Sequence, residues 1–224
     1  MSANWELLIQ WILFGFLILV LVFIFIHQII LRIVRKYHPF PTPGFATRLI
    51  DNPVRRKFVQ RPNVMAERMQ LESGMIALEI GPGKGSYTKA VAKRLLPDGK
   101  VYAIDIQESV IKYLQRRVEK ENIPNIIPKV DDAYNLSFED ESIDRIFAIG
   151  CLPEIPDPVR VLHEFKRVLK PYGLVSLCEL FPDPDYPWRR TEVRWAEEAG
   201  LELRQQFGTW FTYQLNFSKK RNEG

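Results

Sequence analysis

Twenty-five consecutive residues, 7–31, carry no formal charge, and only Gln10, Gly15, His27 and Gln28 interrupt their apolar character. A helix over this run is roughly 37 Å long, enough to cross a hydrocarbon core of about 30 Å with some tilt. Trp5 and Trp11 lie near one end and Tyr37 near the other, where amphipathic rings prefer the interface. A cleaved signal peptide would have a basic start, a shorter apolar run and a small-residue cleavage site. Residues 1–6 contain neither Lys nor Arg. A spanning helix is therefore expected, with a helix lying in the interface as the alternative. Arg32, Arg35 and Lys36 follow at once, and the positive-inside rule places them in the cytoplasm. The expected localisation is a single-pass membrane protein, N-terminus outside and the larger part of the chain cytoplasmic.

Charge is distributed unevenly. Nine Lys and Arg residues lie between Arg32 and Gln70, against Asp51 and Glu67 alone, a local net of +7 in a chain whose total is +4. The rest is mildly acidic. Nucleic acid is thereby excluded as main partner, because a polyanion reader carries positive charge across its binding face. The basic belt suits anionic headgroups of a lipid bilayer instead. Two cysteines, Cys151 and Cys178, are too few and too separated for a disulfide framework or a CxxC metal site. Both read as small buried hydrophobes. No metal cluster is visible.

Three prolines in HPFPTPG (residues 38–44) end the apolar helix and predict a semi-rigid connector. Short amphipathic helices are predicted over 47–60 and 63–71, separated by Pro62. The expected organisation is an anchor and basic flank over 1–37, a linker with cap helices over 38–71, and one globular domain over 72–224. Within that domain short apolar runs alternate with helical patterns. Strands are predicted over 75–80, 100–106, 125–130, 143–149 and 174–179, and helices over 86–96, 108–122, 158–169 and 188–199. Such alternation indicates a parallel sheet covered on both faces. Segments 201–207 and 211–217, separated by Gly208, Thr209 and Trp210, predict a closing antiparallel pair.

In such sheets ligands sit beyond the carboxyl ends of the strands, where strand order reverses. The first predicted strand ends in LEIGPGKG, which supplies Glu79, Gly81, Gly83 and Gly85. Glycines let a ligand approach without a Cβ in the way. A nicotinamide site and an S-adenosylmethionine site both use such a loop. The spacing here is GxGxG, with Ser86 where a dinucleotide fingerprint has its last glycine. Glu79 ahead of the loop would repel a pyrophosphate but suits the cationic end of a sulfonium nucleoside. Asp105, 24 residues after Gly81, is placed to accept both hydroxyls of a ribose, which either cofactor needs.

Farther on, the stretch from Asp131 to Val175 contains Asp132-Ala133, Leu136-Ser137-Phe138, Ser142-Ile143-Asp144, Leu152 to Pro158 and Arg167 to Gly173. In order and spacing these motifs resemble class I S-adenosylmethionine-dependent methyltransferases, especially the broad group that includes quinone methyltransferases. The resemblance covers residues 74–219. It implies an α/β, Rossmann-like fold with a mostly parallel seven-stranded sheet, helices on both faces and an antiparallel terminal strand. It also implies S-adenosyl-L-methionine as cofactor. By the same resemblance Gly81 and Gly83 line the methionine part above Glu79, while Asp105 holds the ribose and Ile106 packs on the adenine. Asp132 accepts from the adenine amine and the Ala133 amide meets the ring. Gly150 and Cys151 border the transferred methyl. Where relatives often have paired histidines this chain has Pro153-Glu154, and Tyr172 replaces a glycine. No acceptor preference transfers through those positions.

Methyl transfer from a sulfonium is mostly positioning in a dry pocket, and a base is needed only for an acceptor that must lose a proton. Glu154 is the residue placed for that base. Asp183 and Tyr186, in FPDPDYPW (residues 181–188), suit the rim of an acceptor pocket. Anchorage concentrates the enzyme where a lipophilic small-molecule acceptor dissolves. The alternatives are a catalytically silent cofactor-binding membrane scaffold and a nicotinamide-dependent oxidoreductase.

Overall fold

The computed structural model describes residues 3–37, 51–181 and 183–220. The chain divides into two compact units, residues 1–39 and 40–224. In the first, α1 (Ala3–Tyr37) is one continuous helix. Exposed Trp11, Leu13, Phe16, Leu19 and Leu21 point to all sides of its axis at 100° per residue, so no face is polar. The stretch Asn4–Arg35 is long and apolar enough to cross a membrane.

The second unit holds one seven-stranded sheet. Its strands are β1 (Ile76–Ile80), β2 (Lys100–Asp105), β3 (Ile126–Val130), β4 (Ile143–Ile149), β5 (Leu169–Leu180), β6 (Leu201–Gly208) and β7 (Thr212–Lys219). Their order is β3-β2-β1-β4-β5-β7-β6. β1 to β5 are parallel, and β7 enters antiparallel between β5 and β6. The helices are α2 (Pro62–Arg68), α3 (Ser86–Leu95), α4 (Glu108–Glu121), α5 (Pro158–Val168) and α6 (Arg189–Glu198). This is the Rossmann-like arrangement expected.

Successive strand residues serve opposite faces, as the pleat requires. Ile104, Ile146 and Ala148 pack with α5 and α6 residues such as Phe165, Leu162 and Ala196. Val101, Ala103 and Phe147 pack on the other face with Val91 and Leu95 of α3 and Leu114 of α4. Both faces are dry, which is why these strands read as nearly continuous apolar runs. Local chemistry sets the helix ends. Asp157 accepts from the Arg160 amide at 3.0 Å ahead of Pro158 at the start of α5, and Asn122 closes α4 in the left-handed region at φ 50°.

Two expectations change. The helix predicted over 47–60 is a π-helical turn from Arg55 to Val59; residues 47–50 lie outside the described residues. Residues 51–71 belong to the same compact unit as the sheet. The orphan carbonyls closing α2 are taken by side chains from the sheet. Gln214 donates to the Met65 carbonyl at 3.1 Å, Asn216 to Arg68 at 2.7 Å and Arg145 to Met69 at 2.8 Å. Finally, β5 begins five residues earlier than the predicted 174, directly after α5, with a register shift between Ile143 and Arg145 opposite it. Pro171 cannot donate to a ladder, and such an irregularity accommodates it. Nearby, Lys170 holds both Asp144 carboxylate oxygens at 2.8 Å. Arg167 pairs with Glu164 and Asp140 while donating to the Leu136 and Phe138 carbonyls. The motif residues Asp144 and Arg167 are thus structural clamps.

Candidate functional site

A cavity opens at the carboxyl edge of the parallel strands, on either side of β1 where the strand order reverses. The tip of β2 forms one wall. Asp105 and Ile106 line it, and the Asp105 carboxylate accepts from the Gln107 amide at 2.8 Å. Burial raises the Asp105 pKa, opposed by that amide. Ile106 is exposed at 62%, a flat apolar surface at the mouth. Asp132 and Ala133 continue this wall after β3. Exposed Asp132 takes the Tyr134 amide at 2.9 Å, while Asp131, also lining the cavity, is tied to Ser137 and Lys129. Burial raises Asp131, but those partners outweigh it and hold the carboxyl below its ordinary value.

The floor is the turn after β1. Glu79, Gly81 and Gly83 line it. Gly81 has φ +67°, and a Cβ there would collide with the Cys151 sulfur, so only glycine fits. Glu79 is buried on the α3 side of β1 and accepts from the Thr88 hydroxyl. Burial pushes its pKa up to about 8, against the Thr88 bond and with the nearby Asp51 charge adding to it. A buried acid so raised is neutral until a cation reaches it. Gly85 does not line the cavity: it precedes α3 at φ +76°, where a Cβ would strike Leu114. Its glycine serves helix packing, one residue past the part of the loop that faces the cavity.

At the end of β4, Gly150, Cys151, Glu154 and Ile155 form the far wall. Gly150 donates to the Cys178 carbonyl at 2.8 Å, holding the turn to β5. Burial pushes the Cys151 thiol well up, so it is an apolar wall and no thiolate. Asp183 lines the cavity, but Tyr186 does not. The Tyr186 hydroxyl donates to the Trp210 carbonyl and the residue is 7% exposed, its ring packed edge-to-face among Phe181, Trp188 and Tyr213. The expected substrate contact is therefore a core tyrosine, because burial of a phenol demands a partner and the hairpin backbone provides it.

The sequence reading missed a strap over the floor. Asp51 and Arg55 are both buried and both line the cavity. Asp51 takes the Ser86 hydroxyl at 2.6 Å on Oδ2, while its Oδ1 accepts no hydrogen bond and has Arg56 at 3.6 Å. Lys84 of the glycine turn donates to the Asp51 carbonyl at 3.1 Å. Arg55 is steered by Gln60 at 2.7 Å, and Gln60 in turn donates to the Glu179 carbonyl at 3.2 Å. A Cβ on Gly150 would meet both Arg55 Nη2 and Asp183 Oδ2 at 3.5 Å, so a buried cation and an acid flank that turn. One signal pointed here: Asp51 is one of two acids in the basic belt.

Glycine-opened space, a buried acid at Asp51 and a raised acid at Glu79 thus meet in one cavity. Among known proteins, residues 77–173 match the family model described as a methyltransferase domain. The demethylmenaquinone methyltransferase of Geobacillus stearothermophilus is 34% identical over 125 residues, 56% of this chain and 53% of that protein. That of Staphylococcus carnosus is 34% identical over 129 residues, 58% of this chain and 52% of that protein. The chain thus spans about half the length of these relatives. Among solved structures, an S-adenosylmethionine-dependent methyltransferase from Aquifex aeolicus superposes with TM-score 0.73 at 23% identity, over 79% of this chain and 98% of that one. The architecture is therefore the class I methyltransferase fold, and residues 77–173 form a methyltransferase domain.

Proposed function

We propose that this chain is a membrane-anchored enzyme that transfers the S-adenosylmethionine methyl group to a lipophilic small molecule or lipid at the cytoplasmic membrane face, with α1 as anchor. The observation that carries the reading is the meeting, at one sheet edge, of the Glu79-backed glycine turn, Asp105 and the apolar wall of Cys151 and Ile155. The relatives bearing the name demethylmenaquinone methyltransferase support a lipid-soluble acceptor. The apolar α1 followed by a basic flank supports a membrane site with the N-terminus outside.

When bound, the cofactor supplies an activated methyl on sulfur. The chain's part is to hold, orient and exclude water. Asp105 accepts the ribose hydroxyls, Asp132 meets the adenine amine, and Ile106 covers the ring. Asp51 and Glu79 suit the ammonium end and Arg55 the carboxylate, each a charge-assisted contact. Cys151 and Ile155 keep the transfer path dry, which strengthens every charge contact around it. For an acceptor that must be deprotonated, Glu154 is the residue at that wall to take the proton.

Transfer of radiolabelled methyl into a panel of quinols, phospholipid amines and lipophilic phenols by the full-length protein in bilayer discs tests this. Product from at least one lipophilic acceptor is expected. Cofactor binding with no product from any lipid extract would favour a silent scaffold, and thermal protection by NAD in place of S-adenosylhomocysteine would overturn the assignment of the site.

A further inference from the structure

Among the described residues of the catalytic unit, nine large apolar side chains are exposed. Seven of them, Val54, Phe58, Ile106, Val130, Trp188, Trp210 and Phe211, belong to segments at the carboxyl edge of the strands, where the cavity opens. Only Leu96 and Tyr172 lie elsewhere. A soluble surface scatters such residues; clustering around one opening needs a reason.

Four of the seven lie on two segments tied to one another, and a fifth, Trp188, packs beside them. The strap carries Val54 and Phe58, and its Gln60 donates to the Glu179 carbonyl at 3.2 Å. The β6–β7 hairpin carries Trp210 and Phe211, and Thr212 at its end donates to that same carbonyl at 3.0 Å. Phe181 packs on Trp210 at 5.2 Å and donates its amide to Phe211 at 2.7 Å. Trp188 joins through Tyr186 at 6.0 Å. Cations accompany the rings. Lys57 sits 5.2 Å from the Phe58 ring, Arg189 is fastened to the hairpin at Thr209 at 2.8 Å, and Arg61 and Arg190 are exposed. The neighbouring acids are turned inward: Asp183 lines the cavity and Asp185 Oδ2 is buried.

Exposed Trp and Phe flanked by Lys and Arg are the chemistry of the headgroup layer. We propose that this edge of the catalytic unit is itself a membrane-docking surface. Val54, Phe58, Trp188, Trp210 and Phe211 enter the headgroup level of an anionic bilayer, Lys57, Arg61, Arg189 and Arg190 meet its phosphates, and the cavity mouth is held to the lipid. A lipophilic acceptor then reaches the site without crossing water. The inference rests on the membrane reading above, and it adds a second contact independent of α1.

The test uses full-length chains with one tryptophan, Trp210 or Trp11, the others replaced by Phe, in discs of phosphatidylglycerol with brominated acyl chains. Trp210 is expected to lose at least half of its emission relative to unbrominated discs. Quenching of Trp11 with none of Trp210 would overturn the docking surface and leave the anchor standing; quenching of neither would overturn the anchor as well. The unaltered protein gives a second readout. Amide exchange across 53–58 and 209–211 is expected to slow several-fold on moving from amphipol to phosphatidylglycerol discs. Slowing without bromine quenching would assign the rim to protein contact and overturn the proposal, and equal slowing in phosphatidylcholine discs would overturn the role given to the four cations.

Discussion

The turn after β3 and the strap side of the cavity rest on opposite electrostatic terms, while Asp105 at the tip of β2 is raised by burial like the strap side. On the nucleoside side Asp131 and Asp132 are part-exposed or exposed, and Asp131 is held ionised by Ser137 and Lys129. On the strap side the acids are dry. Burial raises Glu79 to about 8, and it raises Glu179 far up, with Glu192 and Asp183 adding and Arg55 opposing. Asp131 is thus held as a carboxylate acceptor beside the cavity. The strap side is finished only when a cation arrives, so binding there is coupled to protons. Under the proposed function, one ligand would meet two kinds of recognition, geometry at its sugar and charge completion at its amino-acid end.

Four measurements break or sharpen that contrast. The largest effect is expected on the nucleoside side. On the proposed ribose contact, Asp105→Ala should weaken cofactor affinity roughly 100-fold or more by calorimetry. Unchanged affinity would place the nucleoside elsewhere.

Next comes Glu79. Its folded pKa of about 8 lies above the ordinary 4.5, so the folded state holds the proton more tightly. The stabilisation is complete below about pH 4.5 and is lost as pH rises to about 8. Without cofactor, the melting temperature should therefore fall between pH 5 and 8, and Glu79→Gln should flatten only part of that fall. Glu192, which burial also raises to about 8, contributes in the same window. Cofactor binding at pH 7 should release a proton from the unaltered protein and none from the Gln variant, read in buffers of different ionisation enthalpy.

Arg55→Ala should raise the cofactor KM about tenfold with kcat nearly unchanged, since a carboxylate contact remote from the methyl contributes to both states alike. A drop in kcat alone would move Arg55 to the acceptor side. The smallest effect is expected from Tyr186→Phe: about 1 kcal/mol of stability for the lost bond to Trp210 and less than a twofold change in either kinetic constant. A large KM change would restore it as a substrate contact.

Much of the cavity's floor and β2 wall was legible in the chain. Glu79, Gly81, Gly83 and Asp105 follow their strands at fixed intervals, and a parallel sheet brings consecutive strand ends to one edge. The strap was not. Arg55 and Asp51 look like any members of a basic amphipathic stretch. Their burial depends on Gln60 finding the Glu179 carbonyl 119 residues away and on Ser86 finding Asp51 across 35. Tyr186 misled for a similar reason: an aromatic with a hydroxyl in a Pro-rich loop looks like a rim residue until the β6–β7 hairpin folds over it and its Trp210 carbonyl accepts the phenol's hydrogen bond.

The sequence by itself determined what depends on local period and composition: one helix too apolar for water, alternating strands and helices, and the carboxylates and glycines at strand ends. Tertiary structure decided what depends on pairs far apart in the chain. It inserted β7 between β5 and β6, drew residues 51–71 into the unit of the sheet, and buried Glu79 so that its acid is raised to about 8. Period is written in neighbouring residues, whereas burial is a property of the whole fold, and an acid's charge follows its burial.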